Sequence, residues 1–129
     1  MPKKIVLHGK VFSSTKKGQT YVSLPWVKKQ IKEKLGFNPF VGTLNLRLQN
    51  QPSINELHEA DGIMITPENG YCTAKCFKAL VNKKVEGAVI LPDVPDYPNE
   101  VLEVLAPVNL RKTLNLNDGD SVEVLVTLE

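Results

Sequence analysis

Short stretches rich in β-forming residues recur along most of the chain, and they limit its possible folds more than any other feature. They cover residues 5–12, 20–23, 43–48, 63–66, 71–80, 85–91, 101–105 and 121–128. Turn residues separate them, as in the Asn117-Asp118-Gly119-Asp120 segment before the last stretch. About eight short strands with few helices indicate a β-barrel or sandwich rather than a parallel nucleotide-binding sheet.

One helix stands out among these strands. Its apolar residues repeat at i, i+4 and i+8, at Val27, Ile31 and Leu35. Ser23 suits the N-cap position and Pro25 suits the first turn. Gly36 suits the position just after the helix, where a left-handed backbone is common. A second, shorter helical turn is expected over residues 109–114.

The size and composition of the chain suit one domain, which we expect to span residues 1–129. A chain of 129 residues can form a single hydrophobic core, and 42% hydrophobic with 23% charged residues is ordinary for a globular protein. No apolar run approaches the roughly 20 residues that cross a bilayer, and the first apolar run is too short for a signal peptide. We therefore expect a cytoplasmic protein that does not bind membranes, and we take it to be a monomer.

The two cysteines, Cys72 and Cys76, lie four residues apart in a strand-like stretch. On one strand face they would be about 13 Å apart, which is too far for a disulfide. The only histidines, His8 and His58, are distant in sequence, so this spacing does not indicate a metal site. We therefore predict two small buried thiols.

Charge is distributed unevenly along the chain, although the net charge is only +2. The first 50 residues carry ten lysines and arginines against one acid, Glu33, which gives +9 there and leaves −7 for the other 79 residues. Such a basic half indicates an anionic partner: a nucleotide, a nucleic acid or a phosphorylated metabolite. The four lysines between residues 28 and 34 could equally form the solvated face of the predicted helix.

Residues 43–48 read T-L-N-L-R-L, a strict alternation of polar and apolar side chains. In a strand, the three leucines would share one face, and Thr43, Asn45 and Arg47 would share the other. This pattern alone predicts a half-buried strand with a polar outer face. The sequence contains no Walker loop, no dinucleotide-binding G-x-G-x-x-G and no protein-kinase motif, so any phosphoryl chemistry needs another scaffold.

Three segments of the chain, taken together, are similar to one known family. They are residues 35–48, which include G-T-L-N-L, residues 100–111, which include A-P-V-N-L-R, and residues 114–122. In this order and spacing they resemble the archaeal CTP-dependent riboflavin kinases. The resemblance implies a mainly β fold: a small cradle-loop (RIFT-type) Greek-key barrel with one or two short helices. It also implies transfer of the γ-phosphate of CTP to the 5′-hydroxyl of riboflavin, which gives FMN and CDP.

The resemblance implies a magnesium ion bound by Thr43 and Asn45, which match the metal ligands of the family. Two neutral oxygens on one strand face are compatible with Mg²⁺, because this ion keeps several waters and takes further oxygens from substrate phosphates. CTP and riboflavin are then the expected partners, and nucleic acid is not.

The resemblance places the nucleotide against two parts of the chain. The first is the loop between the first two strands: Ser14, Thr15, Lys16, Lys17, Gly18 and Gln19. The second is the start of the short helix: Val108, Asn109, Leu110 and Arg111. The family's loop is rich in glycine, whereas Ser14 and Lys16 stand here where glycines are expected. Their hydroxyl and ammonium groups could still bind phosphate, or the loop could be an exposed polar turn.

The resemblance also implies that Glu103 contacts the flavin, and we predict that it is the catalytic carboxylate. It matches a family glutamate that contacts the flavin, and it could orient the attacking hydroxyl, accept its proton, or form a structural salt bridge. Val101 and Leu105 have the same parity as Glu103 along the predicted strand, so we expect Glu103 on an inward face.

One departure from the family lies on the flavin side. Pro95 stands where the family has a threonine that contacts the flavin, and proline supplies neither a hydroxyl nor an N–H. The flavin contacts are therefore expected to differ, with Tyr97 or Asp96 as the candidates.

Two other functions remain open from the sequence. The basic first half and the N-D-G-D turn would suit a nucleic-acid-binding barrel, a transcription regulator of the swapped-hairpin type. The departures at Ser14, Lys16 and Pro95 would suit a relative that binds a flavin or a nucleotide without catalysing transfer.

Overall fold

The computed structural model describes residues 3–13, 23–49, 52–66, 73–93 and 98–128. Within these residues there are seven strands: β1 (Lys4–Val11), β2 (Leu44–Leu48), β3 (Ile63–Ile65), β4 (Ala74–Val81), β5 (Val85–Pro92), β6 (Val101–Leu105) and β7 (Ser121–Thr127). Three helices accompany them: α1 (Pro25–Leu35), α2 (Pro52–Glu59) and α3 (Leu110–Thr113). Seven predicted strands are thus confirmed with small shifts at their ends, and the eighth, at 20–23, lies mostly outside the described residues.

Six strands close into an antiparallel barrel. They are hydrogen-bonded around it in the order β1, β2, β6, β5, β4 and β7, and β7 returns to β1. The remaining strand, β3, pairs with the first half of β4 outside this ring. Closure satisfies the backbone hydrogen bonds that an open sheet would leave at its edges. The predicted mainly β barrel is confirmed.

The barrel interior is filled by the inward side chains of all six strands. The alternation in β2 turns Leu44, Leu46 and Leu48 inward, and they are 3%, 0% and 5% exposed. They pack with Leu7 of β1, Phe77 of β4 and the other members of one central cluster. Burying each such side chain contributes about 1.5–3 kcal/mol, so this cluster is the main source of stability for the fold.

Helix α1 covers one side of the barrel from outside. Its buried residues Val27, Ile31 and Leu35 have the predicted spacing, and they pack on outward apolar residues of β3, β4, β5 and β6. The helix ends at Gly36, whose φ of 87° is left-handed and whose N–H donates to the carbonyls of Ile31 and Lys32. The N-cap prediction was wrong: Leu24 is the N-cap, without a side-chain hydrogen bond, and Ser23 precedes it.

Two side chains of α1 bind the outer edge of β3. Gln30 exchanges two hydrogen bonds with the backbone of Thr66: its Nε2 donates to the carbonyl at 3.0 Å, and its Oε1 accepts from the N–H at 2.8 Å. Lys34 Nζ donates to the carbonyl of Met64 at 2.6 Å. These side chains thus make hydrogen bonds of the kind that another strand would make at this edge.

Helix α2 was not predicted. It has eight residues, and among its described side chains Ile54 and Leu57 are the two buried apolar anchors that join the central cluster. Beyond these anchors, Lys75 Nζ donates to the carbonyls of His58 and Ala60 at the end of the helix, at 2.6 and 2.7 Å. Two buried residues in so short a segment give too little periodicity to predict a helix. The Lys75 contact at the end of the helix comes from β4, and sequence spacing does not reveal such a tertiary contact. None of the described helices is long and apolar enough to span a bilayer.

Candidate functional site

The outer face of β2 brings the predicted metal ligands together with the predicted catalytic carboxylate. Asn45 lies directly opposite Glu103 in the β2–β6 pairing. Thr43 Oγ1 donates a long hydrogen bond of 3.4 Å to Glu103 Oε1. All three side chains are half-buried. A threonine hydroxyl, an amide and a carboxylate therefore converge on one small polar surface.

The backbone before β2 is shaped by Gly42, whose φ of 146° favours glycine. A Cβ at this position would also contact the ring of Phe40 at 3.4 Å. The N–H of Phe40 donates to the carbonyl of Ala106 at 2.8 Å, which ties this segment to the chain just after β6. These contacts hold Thr43 beside β6, where its hydroxyl reaches Glu103.

The oxygens of Thr43, Asn45 and Glu103 suit a hard cation such as Mg²⁺, which prefers oxygen ligands and retains water. No group of three or more histidine, cysteine or acidic side chains within the described ranges could hold a metal ion. A cation held by Thr43 and Asn45 would therefore rely on neutral oxygens, water and the oxygens of a bound substrate, with the Glu103 carboxylate beside it. That donor set fits Mg²⁺ better than zinc, which favours nitrogen and sulfur ligands.

The expected inward orientation of Glu103 was wrong. The barrel interior receives Leu102 and Val104 from β6, while Glu103 lies half-buried on the outer face. Leu105 shares that outer face and is nevertheless buried, because α1 covers it there. Parity alone cannot separate burial inside the barrel from burial beneath a covering helix. The outer position leaves the Glu103 carboxylate beside Thr43 and Asn45.

Arg111 joins the end of β1 to the turn before β7. Its Nη2 donates to the carbonyl of Phe12 at 3.2 Å and to Asp118 Oδ1 at 2.8 Å. The hydroxyl of Ser13 donates to Asp118 Oδ2 at 2.9 Å. The Arg111 hydrogen bond, followed by that of Ser13, holds the pKa of Asp118 below its ordinary value. This cluster fixes the point from which the predicted nucleotide loop begins.

The predicted nucleotide residues of α3 have different surroundings. Asn109 is the N-cap, and its side-chain oxygen accepts from the N–H of Lys112 at 3.3 Å. Leu110 is buried in the central cluster, whereas Val108 is 37% exposed. The side chains of Asn109, Leu110 and Arg111 are therefore all engaged within the fold, whereas Val108 is exposed.

Several predicted site residues lie outside the described ranges. On the nucleotide side these are Ser14, Thr15, Lys16, Lys17, Gly18 and Gln19, and on the flavin side they are Pro95 and Tyr97. Their roles remain predictions. The residues that flank them are placed: Ser13 beside Arg111 and Asp118, and Asp93 with its N–H donating to the carbonyl of Thr73 at 2.8 Å.

Sequence reasoning missed the contribution of Phe12, Ser13 and Asp118 to this region. The contact between Ser13 and Asp118 joins residues that are 105 positions apart. The N-D-G-D turn predicted a turn there, but a turn motif does not reveal which distant side chain it meets. Phe12 is the end of a predicted strand, and its ring lies 4.6 Å from Arg47 Cζ.

Comparison with known proteins gives consistent matches. A family model named for CTP-dependent riboflavin kinases, and described as "Domain of unknown function DUF120", matches residues 11–126. The chain is 45% identical over 96% of its length to the riboflavin kinase of Archaeoglobus fulgidus. It is 46% identical over 96% of its length to that of Pyrobaculum aerophilum. It is 43% identical over 96% of its length to that of Ignicoccus hospitalis.

These matches cover the relatives only in part. The chain spans 55% of the Archaeoglobus protein, 61% of the Pyrobaculum protein and 72% of the Ignicoccus protein. Nearly the whole of this chain therefore corresponds to one part of each relative.

Proposed function

Because the chain belongs to the CTP-dependent riboflavin kinase family, we propose that it transfers the γ-phosphate of CTP to the 5′-hydroxyl of riboflavin. The products are FMN and CDP. The observation that carries this proposal is the convergence of Thr43, Asn45 and Glu103 on the outer face of β2 and β6. A hydroxyl, an amide and a carboxylate at one point can bind a cation and orient a hydroxyl nucleophile.

Thr43 and Asn45 hold Mg²⁺ in this proposal. An ion held there would supply positive charge to offset the phosphate oxygens. The role of the chain is to present two neutral oxygens on one rigid strand, with Gly42 and Phe40 fixing the approach to that strand. Neutral ligands leave most of the ion's charge available to the phosphates.

Glu103 orients the 5′-hydroxyl of riboflavin and accepts its proton. The hydroxyl oxygen bonds to the γ-phosphorus, and the bond from that phosphorus to the β,γ-bridging oxygen breaks. CDP leaves with that oxygen, and the proton of the hydroxyl passes to the carboxylate. Phosphoryl transfer depends mainly on positioning and charge. A single carboxylate within hydrogen-bond distance of the 5′-hydroxyl can therefore serve as the general base.

The two substrates approach from opposite ends of this surface. Past Val11, which pairs with Leu46, β1 runs toward the Thr43 end of β2 and leads into the predicted nucleotide loop, residues 14–19. Arg111 stabilises the start of that loop through its contacts with Phe12 and Asp118. Val108 lies three residues before Arg111 in the sequence. CTP is therefore proposed to lie at the Thr43 end.

The flavin is proposed to lie at the other end. There β6 begins at Val101, opposite Arg47, and the segment that contains Pro95 and Tyr97 leads into it. Tyr97 offers a phenol for hydrogen bonding or a ring for stacking in place of the family's threonine. We propose that the protein acts as a monomer.

The proposal is tested by incubating the protein with riboflavin, Mg²⁺ and CTP, ATP, GTP or UTP in separate reactions, and measuring FMN by chromatography. FMN that forms with CTP and not with the other nucleotides is the expected result. FMN formed with another nucleotide would change the donor and leave the transfer reaction in place.

Two other results would contradict the proposal. Absence of FMN together with tight binding of flavin or nucleotide would indicate a relative that binds without catalysis. Absence of small-molecule binding together with salt-dependent binding to DNA would indicate the nucleic-acid-binding alternative.

A further inference from the structure

Two cations lie side by side on the outer face of the barrel, next to the proposed metal residues. Lys10 of β1 is paired directly with Arg47 of β2, and both side chains are exposed. Directly paired residues of antiparallel strands point to the same side, with their Cβ atoms about 4.5–5.5 Å apart. Like charges at this separation repel each other, weakly where both are exposed to water, and an anion bound between them would relieve that repulsion.

The residues directly opposite this pair on the neighbouring strands are uncharged, and the carboxylates of Glu103 and Glu123 lie diagonally to Arg47 and Lys10 on the same face. Lys10 is flanked by Ser121 of β7, and Arg47 is flanked by Val101 of β6. In the part of the chain that the structure describes, the ion pairs are Lys3–Glu56, Lys29–Glu33 and Arg111–Asp118. Neither Lys10 nor Arg47 belongs to one of them. Within the described residues, neither positive charge is therefore held in an ion pair.

Phe12 holds Arg47 in place. The guanidinium carbon of Arg47 lies 4.6 Å from the centroid of the Phe12 ring, which is a cation–π contact. The backbone of Phe12 is itself fixed at both ends, because its N–H donates to the carbonyl of Asn45 and its carbonyl accepts from Arg111. A guanidinium held over a ring still has N–H groups along its edge that can bind two oxygens of a phosphate.

The position of Lys10 and Arg47 indicates which phosphate group they would bind. Arg47 lies two residues from Asn45 on the same face, about 7 Å along the strand. The nucleotide is proposed to bind at the Thr43 end of β2, and the flavin at the end where Arg47 lies opposite Val101. Arg47 therefore lies on the flavin side of Asn45. With the substrates in the proposed positions, the phosphoryl group that moves from nucleotide to flavin would pass close to Arg47.

We propose that Lys10 and Arg47 bind the oxygens of the phosphoryl group that is transferred, first as the γ-phosphate of the nucleotide and then as the phosphate of FMN. This inference rests on the proposed function. It assigns Phe12 the role of a positioning residue, which acts through the Arg47 guanidinium. Riboflavin and CDP lack this phosphoryl group, so the pair should distinguish FMN from riboflavin and CTP from CDP.

The test compares these two ligand pairs in the K10Q and R47Q variants. Flavin fluorescence titration gives the affinities for FMN and riboflavin, and calorimetry gives those for CTP and CDP. Each variant should lose about 10-fold or more in affinity for FMN and CTP, since each removes charge-assisted hydrogen bonds to phosphate. Riboflavin and CDP affinities should stay within about twofold of the wild type. The F12L variant should reproduce part of the R47Q loss.

Lys4 provides the matched control, because it is another exposed lysine on the outer face of β1. It lies six residues from Lys10, about 20 Å along the strand. The K4Q variant should retain wild-type affinity for all four ligands. Equal losses for FMN and riboflavin in R47Q, or losses in K4Q as large as those in K10Q, would overturn the inference. Thermal unfolding of each variant separates these effects from a general loss of stability.

Failure of the inference differs from failure of the proposed function. A normal rate of FMN formation with unchanged affinities in K10Q and R47Q contradicts the inference alone. A wild-type protein that binds no flavin and no nucleotide contradicts the proposed function. In that case the same variants are titrated with inorganic tripolyphosphate. Tripolyphosphate binding that both substitutions weaken would support the anion site, and equal binding by all variants would overturn it.

Discussion

The two outer sides of this barrel differ in burial, although both are built from strands that fill the same interior. On one side, α1 covers outward residues such as Cys76, Ala88 and Ile90, and they form a second apolar cluster with Ile31. We call this the covered side. On the other side, which we call the bare side, β1, β2 and β6 present polar residues. There Lys10 and Arg47 are exposed, and Thr43, Asn45 and Glu103 are half-buried.

The strand sequences differ accordingly. Residues 88–91 of β5 are all buried, alternately inside the barrel and beneath α1, and they form a continuous apolar run. In β2, apolar and polar residues alternate, because only one face is buried. A continuous run therefore marks a strand covered on both faces, whereas strict alternation marks one whose outer face is free for chemistry.

The largest expected effect is on the bare side, at the proposed metal residue Asn45. The N45A variant should lower the rate of FMN formation by more than about 100-fold. Changes to groups that merely support metal ligands already cost about 10–100-fold, and Asn45 is proposed as a ligand itself. The steady-state rate gives the effect, and circular dichroism should show an unchanged fold.

Exposed Gln49, just after β2, offers a control for this substitution. The Q49A variant should keep wild-type turnover. A near-normal rate in N45A would remove Asn45 from the metal site and would leave the bare side without its proposed role.

On the covered side, the expected effect is on stability. Ile31 is completely buried between α1 and the barrel, so the I31A variant should lose about 2–5 kcal/mol of unfolding free energy. Urea unfolding measures this loss. Where the variant remains folded, its turnover should match the wild type, because the site lies on the other side.

Lys32 follows Ile31 on the exposed face of α1, and the K32A variant should change stability by less than about 0.5 kcal/mol. If I31A and K32A were equally stable, α1 would not be a covering element. The distinction between the two outer sides would then be lost.

A smaller effect is expected at Asp118, which holds Arg111 at the nucleotide end of the bare side. The D118N variant should raise the KM for CTP by about 3- to 10-fold, since it weakens one charged hydrogen bond that positions Arg111. Turnover at saturating CTP should change little. Steady-state kinetics distinguish this pattern from a loss of fold, which would lower turnover as well.

The pH dependence of this contact follows from the lowered pKa of Asp118. The folded carboxyl binds its proton less readily than the unfolded one, so its contribution to stability is present above the ordinary value of 3.8. That contribution disappears as the pH falls through the lowered pKa. The stability difference between wild type and D118N should therefore be constant near neutral pH and vanish in acid, as measured by urea unfolding.

The smallest expected effect is the reaction of the Cys76 thiol, which lies under α1, with a labelling reagent. Burial raises the pKa of this thiol from 9.0 to about 12, so it stays protonated at neutral pH. In a C72S background, a thiol reagent should react with Cys76 only when the protein unfolds. Rapid labelling of the folded protein would show that the covered side opens easily.

Much of the barrel could be predicted because strand alternation and helix spacing are local properties. Thr43 to Leu48 predicted which residues of β2 point inward, and Val27, Ile31 and Leu35 predicted the buried face of α1. The fate of an outward residue was harder to predict. Glu103 and Leu105 share a face, yet only the second lies beneath α1, so their shared parity led to the wrong orientation for Glu103.

The site could be predicted only in part, and through a family resemblance rather than through spacing. Thr43, Asn45 and Glu103 lie together on the outer face, although Glu103 was predicted to face inward. The contacts that fix the start of the nucleotide loop join Ser13 to Asp118, 105 positions away, and Phe12 to Arg111, 99 positions away. Such contacts depend on the register of β1 against β7, and no local pattern encodes that register.

The hydrogen bonds that Gln30 and Lys34 make to β3 also affect how copies of this protein meet one another. Closure of the barrel gives six strands a partner on both sides, so the outer edge of β3 is where an incoming strand could add. Gln30 occupies the backbone groups of Thr66, and Lys34 places a positive charge against Met64. Both features oppose edge-to-edge association. At high concentration, the helix that builds the second apolar cluster therefore also protects the chain against intermolecular β-sheet formation and aggregation.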